Sequence, residues 1–147
     1  MPMAQTFGIG IIPWSPLASG RLTGRYRRNE EVPEDSRLQR IIAQSDQTLA
    51  DFISPQIFDV IEALADIAAQ KSCPMSQLAL AWVVQRPGVT SPIIGPRTTA
   101  HLEDNLKALN VEFSAEELQA IDAIIPPGTF VRDYFTNADW SANRYRW

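Results

Sequence analysis

Two short apolar runs, each feeding directly into a block of turn formers, constrain this chain more than any other feature. The first, Gly8-Ile9-Gly10-Ile11-Ile12-Pro13, is β-branched, bounded by Gly and Pro, and free of polar alternation. A run of that kind predicts a strand buried on both faces, which belongs in a parallel sheet covered by helices. Val89 to Ile94 is the second candidate strand; Pro92 cannot donate a ladder hydrogen bond, so it is expected near an end or an irregularity. A strand, a helical stretch and a second strand then repeat with the same order of parts.

The segments between and after the runs read as helices. Ser54-Pro55 is an N-cap with proline at the first helical position, and Ile57, Phe58, Ile61, Leu64, Ala65 and Ala68 recur at helical spacing, predicting about four turns ending near Lys71. Ser76 is a second N-cap candidate, opening a helix whose Leu78, Leu80, Ala81, Trp82, Val83 and Val84 make it apolar nearly all round and therefore deeply packed. After Gly95-Pro96-Arg97, Thr98 or Thr99 can cap a helix that puts Leu102, Leu106 and Leu109 on one face. Ser114-Ala115-Glu116-Glu117 is a capping box for a last helix carrying Leu118, Ile121, Ile124 and Ile125, stopped by Pro126-Pro127-Gly128. Arg21 to Arg40 is charged and aperiodic, a long excursion. Thr129 to Trp147 is aromatic and aperiodic, a surface segment with anchoring rings.

This order gives an α/β fold: the last two β/α units of a (β/α)8 TIM barrel plus an extra helix. A whole barrel takes about 250 residues. The 147 residues are therefore expected to form one partial domain, 1–147, of an incomplete barrel. Composition narrows the partners. With 45% hydrophobic and 20% charged residues and a formal net charge of -4, the chain lacks the basic excess that a nucleic acid or an anionic membrane surface would attract. Cys73 is the only cysteine and His101 the only histidine, so an internal disulfide and a thiolate metal cluster are excluded. No signal peptide or membrane span is read, and a cytoplasmic location is expected.

At the two loops the residues resemble a known family. Trp14-Ser15-Pro16-Leu17-Ala18-Ser19-Gly20, with Leu22-Thr23-Gly24 behind it, is similar to the strand-7 loop of aldo-keto reductases, in the branch containing potassium-channel β-subunits and many bacterial oxidoreductases. Pro92 through Thr99, continuing to His101-Leu102-Glu103-Asp104-Asn105-Leu106, is similar to the strand-8 loop and adenosine-binding helix of that family. Ser36-Arg37, Leu78-Ala79-Leu80-Ala81-Trp82 and the Pro126-Pro127-Gly128 ending are similar as well. The resemblance implies NADP(H) as cofactor and a small aldehyde or ketone as substrate.

It also implies roles residue by residue. Arg97 would hold the 2′-phosphate, a role that suits a guanidinium at the mouth of a helix N-terminus. Gly95 would allow close backbone approach, Asp104 and Asn105 would meet the adenine, and His101, where the family usually has Gln, would bond or stack on the ribose. Trp14 would lie near the nicotinamide, Ser15, Pro16, Leu17, Ala18 and Ser19 around the pyrophosphate, and Arg25 and Arg37 would close the excursion over the phosphates. Each has a plainer rival. Arg97 can be a solvated charge, Trp14 can be core, His101 can be ordinary surface, and Arg21, Arg25, Arg27 and Arg28, followed by Glu30, Glu31, Glu34 and Asp35, can be a solvated face. Cys73 reads as an inert thiol.

The resemblance carries over no catalytic residue. The family's proton-donating tyrosine and its lysine, aspartate and histidine partners belong to the first half of the barrel, whereas Tyr26, Tyr134 and Tyr145 lie in the excursion and the tail. No metal site and no hydrolase elbow is present. Two functions stand open. One is a partial NADP-dependent reductase supplying cofactor binding and inactive alone. The other is a non-catalytic nucleotide-binding or self-assembling module, in which homo-oligomerisation covers the exposed strand edges.

Overall fold

The computed structural model describes residues 2–44, 48–129 and 131. Within them the chain forms helix α1 (Pro2–Thr6), a 3₁₀ segment (Ala18–Thr23), α2 (Arg37–Ile42), α3 (Leu49–Phe52), α4 (Pro55–Gln70), α5 (Met75–Val84), α6 (Thr99–Leu106), a second 3₁₀ segment (Lys107–Asn110) and α7 (Ala115–Ile124). Most of the helix starts follow from local chemistry. Ser54 accepts a hydrogen bond from the Ile57 N–H, Pro55 occupies the first helical position, and α4 ends with Lys71 as its C-cap. Thr98 is the cap of α6, accepting from the His101 N–H at 3.1 Å. Ser114 and Glu117 complete the expected capping box of α7.

Helix α5 is the hub, packed against α4, α6 and both 3₁₀ segments. Met75, Leu78, Leu80 and Ala81 are buried, as its apolar circumference requires. One core cluster gathers Leu78 with Phe58, Ile61, Tyr26, Leu38 and Phe52; the other joins Leu80 and Ala81 to Ala108. Lys71, at the end of α4, bonds both carboxylate oxygens of Glu117 at 2.7 and 2.8 Å and lies 5.3 Å from the centre of the Phe113 ring. That contact fastens α7 to α4.

The two expected strands appear in reduced form. Among the described residues they meet only at isolated parallel bridges, Ile11 with Val89 and Trp14 with Ile93. The Ile11 N–H donates to the Gly88 carbonyl at 3.0 Å and the Thr90 N–H to the Ile11 carbonyl at 2.8 Å, a regular parallel start. The next bonds of the ladder would need N–H groups on Pro13 and Pro92, which neither has. Ile93 donates to the Pro13 carbonyl instead, at 2.8 Å, and the register slips by one residue. Pro92 thus sits at the expected irregularity.

Other expectations are corrected. Helix α5 begins at Met75 with Pro74 as N-cap, so Ser76 lies inside the first turn and is buried instead of capping. Leu109 does not share a helical face with Leu102 and Leu106: the chain tightens to 3₁₀ at Lys107, Ala108 turns into the core, and the three leucines are 66%, 38% and 52% exposed. The excursion is not featureless, since it contains half of the first 3₁₀ segment and the start of α2, whose cap Ser36 accepts from the Gln39 N–H at 3.1 Å. Of the aromatic tail, Thr129 and Val131 are described; its remaining residues, Tyr134 and Tyr145 among them, lie outside the described residues.

Candidate functional site

A cleft of about 610 Å³ opens where the turn blocks after the two bridged segments face each other. Its position follows from the core. Because α5 packs on both the Ala18–Thr23 segment and α6, it sets the two loops side by side, and its own Ser76 lines the cleft. The first block contributes Trp14, Ser15, Pro16, Leu17 and Ser19. The second contributes Gly95, Arg97, His101, Asp104 and Asn105, while Arg25 and Arg37 come from the excursion. Of the residues expected at such a site, Ala18 alone is outside the lining; its carbonyl instead accepts from Arg21 Nη1 at 2.9 Å.

The first block has an unusual backbone. Ser15, Ala18 and Ser19 have φ of 56°, 48° and 58°, and Gly20 has 96°. Left-handed conformations cost a side-chain-bearing residue about 1–2 kcal/mol each, and such strain concentrates at functional sites. The turn bonds inside it use the N–H groups of Ala18, Gly20 and Leu22, leaving those of Leu17 and Ser19 without a backbone acceptor among the described residues. Those donors, with the Ser15 and Ser19 hydroxyls, suit an anion.

Charge is concentrated on the opposite rim. Arg25 pairs with the Asp35 carboxylate, and Arg97 Nη2 approaches the Asp35 carbonyl at 3.4 Å. The guanidinium of Arg25, aided by the charge of Arg97, holds the Asp35 carboxyl below its usual range. Asp104 accepts from Gln77 Nε2 at 2.7 Å, which fixes the one carboxylate in the lining. Trp14 is 59% exposed, which overturns its reading as core. Four arginines, a strained loop with free donors, and an exposed indole form a donor set that fits a phosphate-bearing nucleotide with a flat ring.

Sequence reasoning missed Tyr26, Arg40 and Ser76 as lining residues. Arg40 carried a readable signal, three positions after Arg37 and so on the same side of a helix; Tyr26 and Ser76 had none. The arginine cluster is also corrected. Arg21 is part-buried, donating to the Phe52 carbonyl at 2.8 Å, and Arg28 bonds Asp59 and Glu62 and lies 5.4 Å from the Phe58 ring centre. Arg21 is thus a structural clamp, whereas Arg28 is an ion-paired charge at the partly exposed surface. Burial pushes the Cys73 thiol up, against the opposing charge of Lys71, as an inert cysteine requires. Among the described residues, no helix is long and apolar enough to cross a membrane, and no group of three or more His, Cys, Asp and Glu residues could hold a metal ion.

Residues 1–126 match the aldo/keto reductase family. The chain is 36% identical over 125 residues to the L-glyceraldehyde 3-phosphate reductase of Escherichia coli O157:H7, covering 84% of this chain and 36% of that protein. It is 33% identical over 129 residues to a probable voltage-gated potassium channel subunit beta of Oryza sativa subsp. japonica, covering 85% of this chain and 38% of the relative. Over 129 residues it is 32% identical to the uncharacterized oxidoreductase YrpG of Bacillus subtilis, covering 87% and 36%. The chain thus spans little more than a third of the length of these relatives.

Proposed function

The chain belongs to the aldo/keto reductase family, and from that premise we propose that it provides the NADP(H)-binding portion of an oxidoreductase moving hydride reversibly between NADPH and an aldehyde or ketone. The family implies a (β/α)8 barrel, and we read this chain as its last two β/α units with the following helix. The observation that supports the reading best is the convergence of two loops far apart in sequence, Trp14–Ser19 and Gly95–Asn105, on one arginine-rimmed cleft. In this reading Arg97 holds the 2′-phosphate and the Leu17 and Ser19 N–H groups hold the pyrophosphate. Asp104, kept in place by Gln77, and Asn105 meet the adenine, with His101 at the ribose and Trp14 near the nicotinamide. The bound nicotinamide supplies the hydride; this chain grips and orients it.

No proton donor is assigned to these residues. Tyr26 is 5% exposed and its hydroxyl accepts from the Leu38 N–H, a contact that serves the packing of α2. The expected chain is therefore competent to bind cofactor and inactive by itself. Titration of the chain with NADPH, followed by tryptophan fluorescence, tests this. Saturable quenching that weakens about tenfold in Arg97→Ala is expected, since a charge-assisted phosphate contact is lost. A folded chain that leaves the fluorescence unchanged would defeat the proposal, and carbonyl reduction by the chain alone would defeat its inactivity.

A second reading draws on a different observation. Phe7, Ile9, Ile12 and Ile93 are 72%, 53%, 60% and 56% exposed around the bridged segments. An apolar surface of that kind favours association, and a nucleotide-binding module that self-assembles through it is the alternative function.

A further inference from the structure

Resting on the NADP(H) reading of the cleft, we propose that Arg40 is a specificity-determining residue that joins Arg97 on the 2′-phosphate and so selects NADPH over NADH. Arg37 and Arg40 lie three positions apart on α2, about 60° around the axis, and both line the cleft. The adjoining face of the same helix is anchored: Leu38 is 4% exposed and Ile41 packs against the same core cluster. With that face held inward, both guanidiniums are kept on the cleft side.

The charge balance singles them out. Arg25 is compensated by Asp35, and Asp104 is held by the neutral amide of Gln77 and forms no ion pair with Arg37 or Arg40 among the described residues. Among the described residues, the ion pairs involve neither Arg37 nor Arg40. Two adjacent uncompensated cations on a small helix repel each other, and an anion between them and Arg97 relieves that. Arg97 is within reach, since its contact with the Asp35 carbonyl puts it beside the segment that leads into α2. The two nicotinamide cofactors differ by one dianionic phosphate with three acceptor oxygens, enough for more than one guanidinium. Arg40 thereby acts on the difference between the cofactors and not on what they share.

The test measures the affinities of the wild-type chain, Arg40→Ala, Arg40→Lys and a control, Arg27→Ala, for NADPH and for NADH. Arg27 is exposed and, among the described residues, forms its one ion pair with Glu30 at 3.9 Å, so it reports general loss of positive charge. Arg40→Ala is expected to weaken NADPH about tenfold and leave NADH unchanged, with Arg40→Lys between it and the wild type and Arg27→Ala like the wild type. Equal weakening of both cofactors, no effect on NADPH, or the same loss in Arg27→Ala would each overturn the proposal. If the wild-type chain binds neither cofactor, the cofactor reading fails as well, a result distinct from an effect confined to the variants.

Discussion

At the residue scale, the strained first block and the packing of Tyr26 make claims that single substitutions check. Gly20 has a φ of 96°, and a Cβ there would stand 3.4 Å from the Tyr26 hydroxyl. Gly20→Ala should therefore cost about 1–2 kcal/mol in a urea denaturation curve; an unchanged midpoint would show that the loop does not hold this conformation. The same hydroxyl accepts from the Leu38 N–H in the first turn of α2. Tyr26→Phe leaves that buried donor unsatisfied and should cost about 1 kcal/mol. If α2 positions Arg37 and Arg40 as argued, the variant should also bind NADPH more weakly, whereas stability loss with full affinity would separate the helix from the site. The sequence made Arg97 and Asn105 readable because they sit in a continuous block beside a helix start. Tyr26 was not readable, because its role depends on a contact with a helix twelve residues away that no periodicity announces.

Secondary-structure elements were legible where their determinants are local. Ser54, Thr98 and Ser114 are caps whose partner is the N–H three residues ahead, so sequence spacing alone locates them. Ser54→Ala should lower stability by about 1 kcal/mol. Where the determinant is a competing neighbour, sequence reading failed: Pro74 captured the start of α5 from Ser76, and two prolines cut the bridged pair short of a ladder. The Lys71–Glu117 contact was equally invisible, being a long-range pairing of two helices. It lowers the Glu117 carboxyl from its usual value, with the Ser114 N–H helping. A depressed folded-state value means stabilisation that is complete above the ordinary glutamate range and lost as pH falls through the depressed one. Comparing Glu117→Gln with the wild type by thermal melting should thus show a stability deficit at neutral pH that shrinks in acid; a deficit independent of pH would assign the contact no electrostatic role.

At the scale of the whole molecule, the order of apolar runs and turn blocks was sufficient to anticipate two loops meeting at one cleft, while the exposed apolar surface was not anticipated in detail. Leu102, Leu106 and Leu109, expected on one helical face, are 38%, 52% and 66% exposed, and Phe7, Ile9 and Ile12 are exposed in and beside the bridged segments. Burying such groups is worth roughly 1.5–3 kcal/mol per side chain. Sedimentation velocity should accordingly show association that increases with concentration and diminishes in Ile12→Asp; a monomer at every concentration would remove the self-assembly alternative. The central claim concerns the cleft, and amide hydrogen exchange with and without NADPH tests it most directly. Protection by the cofactor is expected over residues 15–23, 36–40 and 95–105 and absent from α7, whereas protection confined to α7, or none anywhere, would contradict the account.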